Sequence, residues 1–180
     1  MEKFSERDTK IFTPRVFNDE RGFFFESYNS KTFEEVIGYG INFVQDNHSK
    51  STRGVLRGMH YQLPPFGQGK LVRVISGEVY DVAIDIRKSS KNFGKWFAAT
   101  LSEDNKKQFW IPEGFAHGFI VISDQAELLY KTTNYYNQKS ERSIRWDDPY
   151  INISWPKDIS PITSLKDKNA KPFNEADFFE

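Results

Sequence analysis

The chain has 180 residues, the size of one domain, and its 38 % hydrophobic and 16 % aromatic residues supply a sizeable core. Its 25 basic and 25 acidic residues cancel, which excludes a general attraction to nucleic acid or an anionic membrane while leaving room for a small local anion site. The lack of cysteine excludes disulfides and thiolate metal ligands. No apolar run approaches the roughly 18 residues of a membrane span, and residues 1–8 are too charged for a signal peptide, so a soluble, cytoplasmic protein is expected. Without a linker, low-complexity tract or repeat, residues 1–180 read as a single domain.

In chain order, strands are predicted at 15–17 and 23–28. A short helix follows, with Asn29-Ser30 as its cap, Phe33, Val36 and Ile37 on one stripe, and Gly38 as its stop. Further strands are predicted at 55–62, 71–75, 79–86, 95–100, 108–111, 115–123, 127–134 and 144–147. Ser76-Gly77-Glu78 reads as a hairpin turn between two of them. Within 79–86, Val82, Ile84 and Ile86 share one face while Asp81, Ala83 and Asp85 share the other. Residues 157–180 read as loops with one short helix. Strands recurring this closely describe an all-β antiparallel sandwich or barrel with a few short helices.

Polar residues interrupt these strands. In Leu56-Arg57-Gly58-Met59-His60-Tyr61-Gln62, the period of two puts His60 and Gln62 on one face. Buried polar groups are costly unless paired, so this face points to a pocket inside a closed sheet. His60 is suited to general acid–base work near neutral pH, although a hydrogen-bonded structural histidine fits the same pattern. Lys70, after Gly67-Gln68-Gly69, is either a solvated lysine or a fixed cation for developing negative charge. His117 lies in a glycine-flanked turn and strand entry, where a ligand or another backbone can approach. Tyr130, Tyr135 and Tyr136 are packing residues, proton donors or stacking rings. A three-histidine metal site of His48, His60 and His117 is disfavoured, because Gln62 occupies the place of a second ligand and Lys70 repels a cation; no metal and no cofactor are expected.

Seven segments in order carry a resemblance: Phe17-Asn18-Asp19-Glu20-Arg21-Gly22-Phe23-Phe24, Phe43-Val44-Gln45-Asp46-Asn47-His48-Ser49, the 56–62 segment, Gly69-Lys70-Leu71-Val72-Arg73, Phe93-Gly94-Lys95-Trp96, Pro112-Glu113-Gly114-Phe115-Ala116-His117-Gly118-Phe119, and Tyr130-Lys131-Thr132-Thr133-Asn134-Tyr135-Tyr136. From about Arg15 to Asp167 the chain resembles the dTDP-4-dehydrorhamnose 3,5-epimerases of the RmlC-type cupin family. The resemblance implies a cupin-type β-jelly roll, a homodimer, a dTDP-sugar substrate and no catalytic metal. It implies His60 as base with Asp167 as its acidic partner, Tyr130 as proton donor on the opposite face of the sugar, and Lys70 as stabiliser of the enolate. Substrate contacts are implied at Arg21, Glu26, Gln45, Asn47, Arg57, His117, Tyr136, Glu141 and Lys166. The chemistry agrees: C3 and C5 hydrogens beside a C4 ketone are acidic, and their inversion needs a base, a cation at the enolate oxygen and an acid across the ring. Single epimerisation of a related dTDP-4-keto sugar uses the same residues; a metal-dependent cupin enzyme and a non-catalytic sugar-nucleotide binder are the alternatives from other classes.

Overall fold

The computed structural model of the protein describes residues 8–180, so the charged segment 1–7 lies outside the described residues. In chain order the elements are β1 (Lys10–Phe12), β2 (Phe17–Asp19), β3 (Gly22–Phe24), α1 (Ser30–Ile37), β4 (Gln45–Thr52), β5 (Leu56–Gln62), β6 (Lys70–Ser76), β7 (Glu78–Asp85), β8 (Trp96–Ser102), β9 (Gln108–Ile111), β10 (Phe115–Val121), β11 (Gln125–Thr132), β12 (Glu141–Ser143) and α2 (Leu165–Lys168), followed by a 3-10 turn at Phe173–Glu175. The first sheet runs β1-β9-β6-β11-β4, the second β12-β5-β10-β7-β8, and β2-β3 form a separate ribbon. The ladders are antiparallel, and the two facing sheets make the β-jelly roll.

Alternation decides what each face does. Val72, Val74, Phe109 and Leu128 of the first sheet meet Val79, Ala83, Phe115, Phe119 and Val121 of the second in the core between them. The opposite face of β7, Val82 and Ile84, is also buried, against Ile144, Ile151 and Phe173 from the C-terminal segment. The outer face of the first sheet is covered around Leu71 and Trp110 by Phe33 and Ile37 of α1. That helix has the expected ends: the Asn29 side chain accepts from the Thr32 amide, and Gly38 closes it in the left-handed conformation. Val36, expected on its apolar stripe, is 46 % exposed.

Several expectations are corrected. Ser76-Gly77-Glu78 is not a hairpin turn, since β6 and β7 belong to different sheets. Gly77 is the corner between them: its φ is +78°, and a Cβ there would stand 2.0 Å from the Gln125 carbonyl oxygen. Two strands were not read from the sequence, β1 and the wholly polar β4. The strand expected at 144–147 lies instead at β12, and Ile144 leaves the ladder to fill the outer core. The N-terminal strands expected at 15–17 and 23–28 are the short ribbon of β2 and β3.

A bulge in β5 repositions the polar face. His60 pairs with His117 and Arg57 with Phe119, so three steps on β5 oppose two on β10. Strict alternation would put Arg57 opposite His60; the extra residue returns it to the same cleft. Gly58 and Gly118 permit this approach, as a Cβ on Gly58 would lie 2.6 Å from the Gly118 Cα.

Candidate active site

The two sheets part at one end around a cleft of about 530 Å³. β4 contributes Gln45, Asn47 and Ser49; β5 contributes Arg57 and His60; β6, β10 and β11 contribute Lys70, His117 and Tyr130. Tyr136, Glu141, Lys166 and Asp167 close the mouth.

At the centre, His60 Nε2 lies 2.6 Å from Asp167 Oδ1. The carboxylate accepts the Nε2 proton, which leaves Nδ1 as the basic nitrogen of the neutral imidazole. Asp167 is 3 % exposed, and α2 positions it: the Ser164 hydroxyl oxygen accepts from the Asp167 amide at 3.1 Å. Burial raises the Asp167 pKa, but the hydrogen bond and charge of His60, with help from Ser164 and Lys166, outweigh it and hold the carboxyl below its usual range.

Lys70 is 8 % exposed, and its Nζ donates to the His60 carbonyl at 3.3 Å. Burial lowers its pKa to about 8, against the opposing pull of Asp81 and Glu141. His117 is buried beside it, its Nε2 at 2.8 and 3.0 Å from the two oxygens of Asp81. Burial lowers the His117 pKa, Asp81 opposes this, and Lys70 and His60 add to the depression. Across the cleft from His60, Tyr130 stands on the opposite sheet. Burial raises its pKa, partly countered by Arg57, so the phenol keeps its proton at neutral pH.

A polar chain orders the mouth. Lys166 pairs with Glu141 at 2.6 Å, and the Tyr136 hydroxyl donates to the same carboxylate at 3.0 Å. The Tyr136 amide donates to Gln45 Oε1, and Gln45 Nε2 to Asn47 Oδ1. The Nε of Arg57 donates to Ser51, so its terminal guanidinium nitrogens are available to an anion.

The sequence candidates therefore divide. His60, Lys70, Tyr130 and Asp167 converge, with Gln45, Asn47, Arg57, His117, Tyr136, Glu141 and Lys166 around them. Arg21 and Glu26 do not join them within one chain: Arg21 pairs with Asp19 on the exposed ribbon, and Glu26 lines a separate groove beside α1. Gln62 is a structural clamp, with its amide nitrogen on the Phe66 and Tyr135 carbonyls and its oxygen taking the Asn137 amide. The exposed Tyr135 is not among the cleft residues. The three histidines do not converge, because His48 points away from the cleft and pairs with Glu127. Asp81 was missed as a site residue; its signal was an acid within an otherwise apolar strand.

The profile of the dTDP-4-dehydrorhamnose 3,5-epimerase family matches residues 4–175. The dTDP-4-dehydrorhamnose 3,5-epimerase of Shigella flexneri is 62 % identical over 172 residues, covering 96 % of this chain and 94 % of the relative. The crystal structure of the dTDP-6-deoxy-D-glucose-3,5-epimerase of Legionella pneumophila in complex with dTDP-4-keto-L-rhamnose is similar with a TM-score of 0.91 and 51 % identity, over 97 % of this chain and 92 % of that one. A 3′-monoepimerase of Streptomyces bikiniensis, solved with dTDP-quinovose, has a TM-score of 0.87 and 31 % identity, over 96 % and 87 % of the two chains.

Proposed function

The chain belongs to the dTDP-4-dehydrorhamnose 3,5-epimerase family, and from this premise we propose how its own residues carry out the reaction. The protein is an isomerase that converts dTDP-4-keto-6-deoxy-D-glucose into dTDP-4-keto-L-rhamnose. His60 Nδ1 removes the proton from a carbon beside the C4 ketone, and the C–H electron pair moves into an enolate whose charge rests on the C4 oxygen. Lys70 stabilises that oxygen with its ammonium, and Asp167 stabilises the imidazolium. Tyr130 then gives its proton to the carbon from the opposite side, and the enolate pair forms the new C–H bond. Proton exchange with solvent resets His60 and Tyr130 before the second carbon is inverted.

The observation that carries this reading is the His60–Asp167 pair facing Tyr130 across one cleft, with Lys70 buried beside it. Arg57 and Lys166 hold the diphosphate, and Tyr136 stacks on the base. Incubation with the 4-keto-6-deoxy substrate in deuterated water, without added metal, tests it by NMR. Deuterium at C3 and C5 is expected; incorporation at one carbon only would make the protein a mono-epimerase.

The working unit in this reading is a cytoplasmic homodimer. What supports the dimer is the ribbon: Phe17, Phe23 and Phe24 are 50, 59 and 68 % exposed, on the same segment as the stranded Arg21. The ribbon seats on a second copy and brings Arg21 and Glu26 to that copy's cleft mouth. Light scattering checks this, with twice the 21.1 kDa chain mass expected and a monomer counting against it.

A further inference from the structure

Lys70 needs its charge in a place that disfavours charge. Its one hydrogen-bond acceptor is the neutral His60 carbonyl, and it is almost fully buried. The titratable groups around it are His60 on β5, Asp81 on β7, His117 on β10 and Glu141 on β12. Of the two acids, Glu141 is already engaged at the mouth by Lys166 and Tyr136. Asp81 is 0 % exposed between Val79 and Ala83 of the core, where a lone carboxylate is expensive. Both its oxygens face His117 Nε2, whose own buried position favours the neutral ring. A neutral imidazole satisfies the hydrogen-bonding of Asp81 without cancelling its negative charge. The balancing cation is Lys70.

We propose that Asp81 is a positioning residue of the epimerase: held by His117, its buried carboxylate keeps Lys70 as the ammonium that receives the enolate charge. The pair His117–Asp81 is then a second histidine–carboxylate pair of different use from His60–Asp167. The latter serves a proton acceptor, the former a fixed cation. This rests on the assignment of Lys70 to the enolate, so the test has one arm that needs no turnover.

Asp81→Asn keeps the size of the side chain and an acceptor for His117. Titration of lysine labelled with 13C at Cε, followed by NMR, is expected to show the Lys70 transition moved about one pH unit to the acid side of wild type. The alkaline limb of kcat is expected to move with it, giving about a tenfold loss at pH 9 and little change in KM. An unmoved Lys70 titration overturns the proposal. A moved titration with an unmoved kcat limb keeps the Asp81–Lys70 pairing but removes Lys70 from the chemistry, which is a failure of the functional reading. If Asp81→Asn does not fold, Lys70→Met in the same background must restore folding, and failure to restore it overturns the pairing.

Discussion

The same three strands build two interiors of opposite character. On β6, Val72 and Val74 belong to the core while Lys70 reaches the cleft; on β11, Leu128 is core and Tyr130 is cleft; on β10, Phe119 and Val121 are core and His117 is cleft. The core end is stabilised by contact and by exclusion of water. The cleft end holds an ammonium, a carboxylate–imidazole pair and a phenol whose burial alters their protonation. One scaffold thus supports precise placement at one end because the other end is rigid.

Substitutions can separate the two ends. The largest expected effect is His60→Asn, which removes the base and lowers kcat about a thousandfold or more, with a melting temperature close to wild type; a modest loss would show that another group takes the proton. Tyr130→Phe sharpens this, because deuterium exchange by His60 is expected to persist while inversion fails.

Next is Leu128→Ala, two residues from Tyr130 but wholly within the core. It is expected to cost about 3 kcal/mol of stability and lower Tm by roughly 10 °C, while the folded fraction keeps the wild-type pH profile. A changed profile would mean that the two interiors are coupled rather than divided.

The smallest effect has the opposite sign. Lys70 has its pKa depressed from 10.5 to about 8, so the unfolded chain binds more protons than the folded one between those values. Stability therefore gains from this group as pH rises from about 8 to 10.5, and the full burial cost is present below 8. Activity runs the other way, since the ammonium is lost as pH rises through about 8. Lys70→Met is expected to raise Tm by a few degrees at pH 7 while cutting kcat about a hundredfold. Calorimetry checks the first half, and a lowered Tm would show that the lysine is a net stabiliser.

What was legible depended on which interior a segment faces. The core strands announced themselves by apolar alternation, as in Val82, Ile84 and Ile86, and α1 by its caps. β4 did not, because Gln45, Asn47 and Ser49 face the cleft while Asp46, His48 and Lys50 face outward, leaving no apolar row to detect. Its signal was weaker: amide and hydroxyl residues alternating with charged or ionisable ones. Strands that line a site break the pattern that reveals strands.

The linear chain by itself determined the all-β class, the short capped helix and the chemical inventory: a titratable imidazole, a lysine, a phenol and their polar neighbours. Those follow from local periodicity and side-chain chemistry. The tertiary structure alone decided that β6 and β7 part into different sheets, and that a bulge at Gly58 turns Arg57 toward His60. It also joined His60 to Asp167 across 107 residues and set Asp81 against His117. Such convergences arise from long-range strand pairing and burial, which no local pattern encodes.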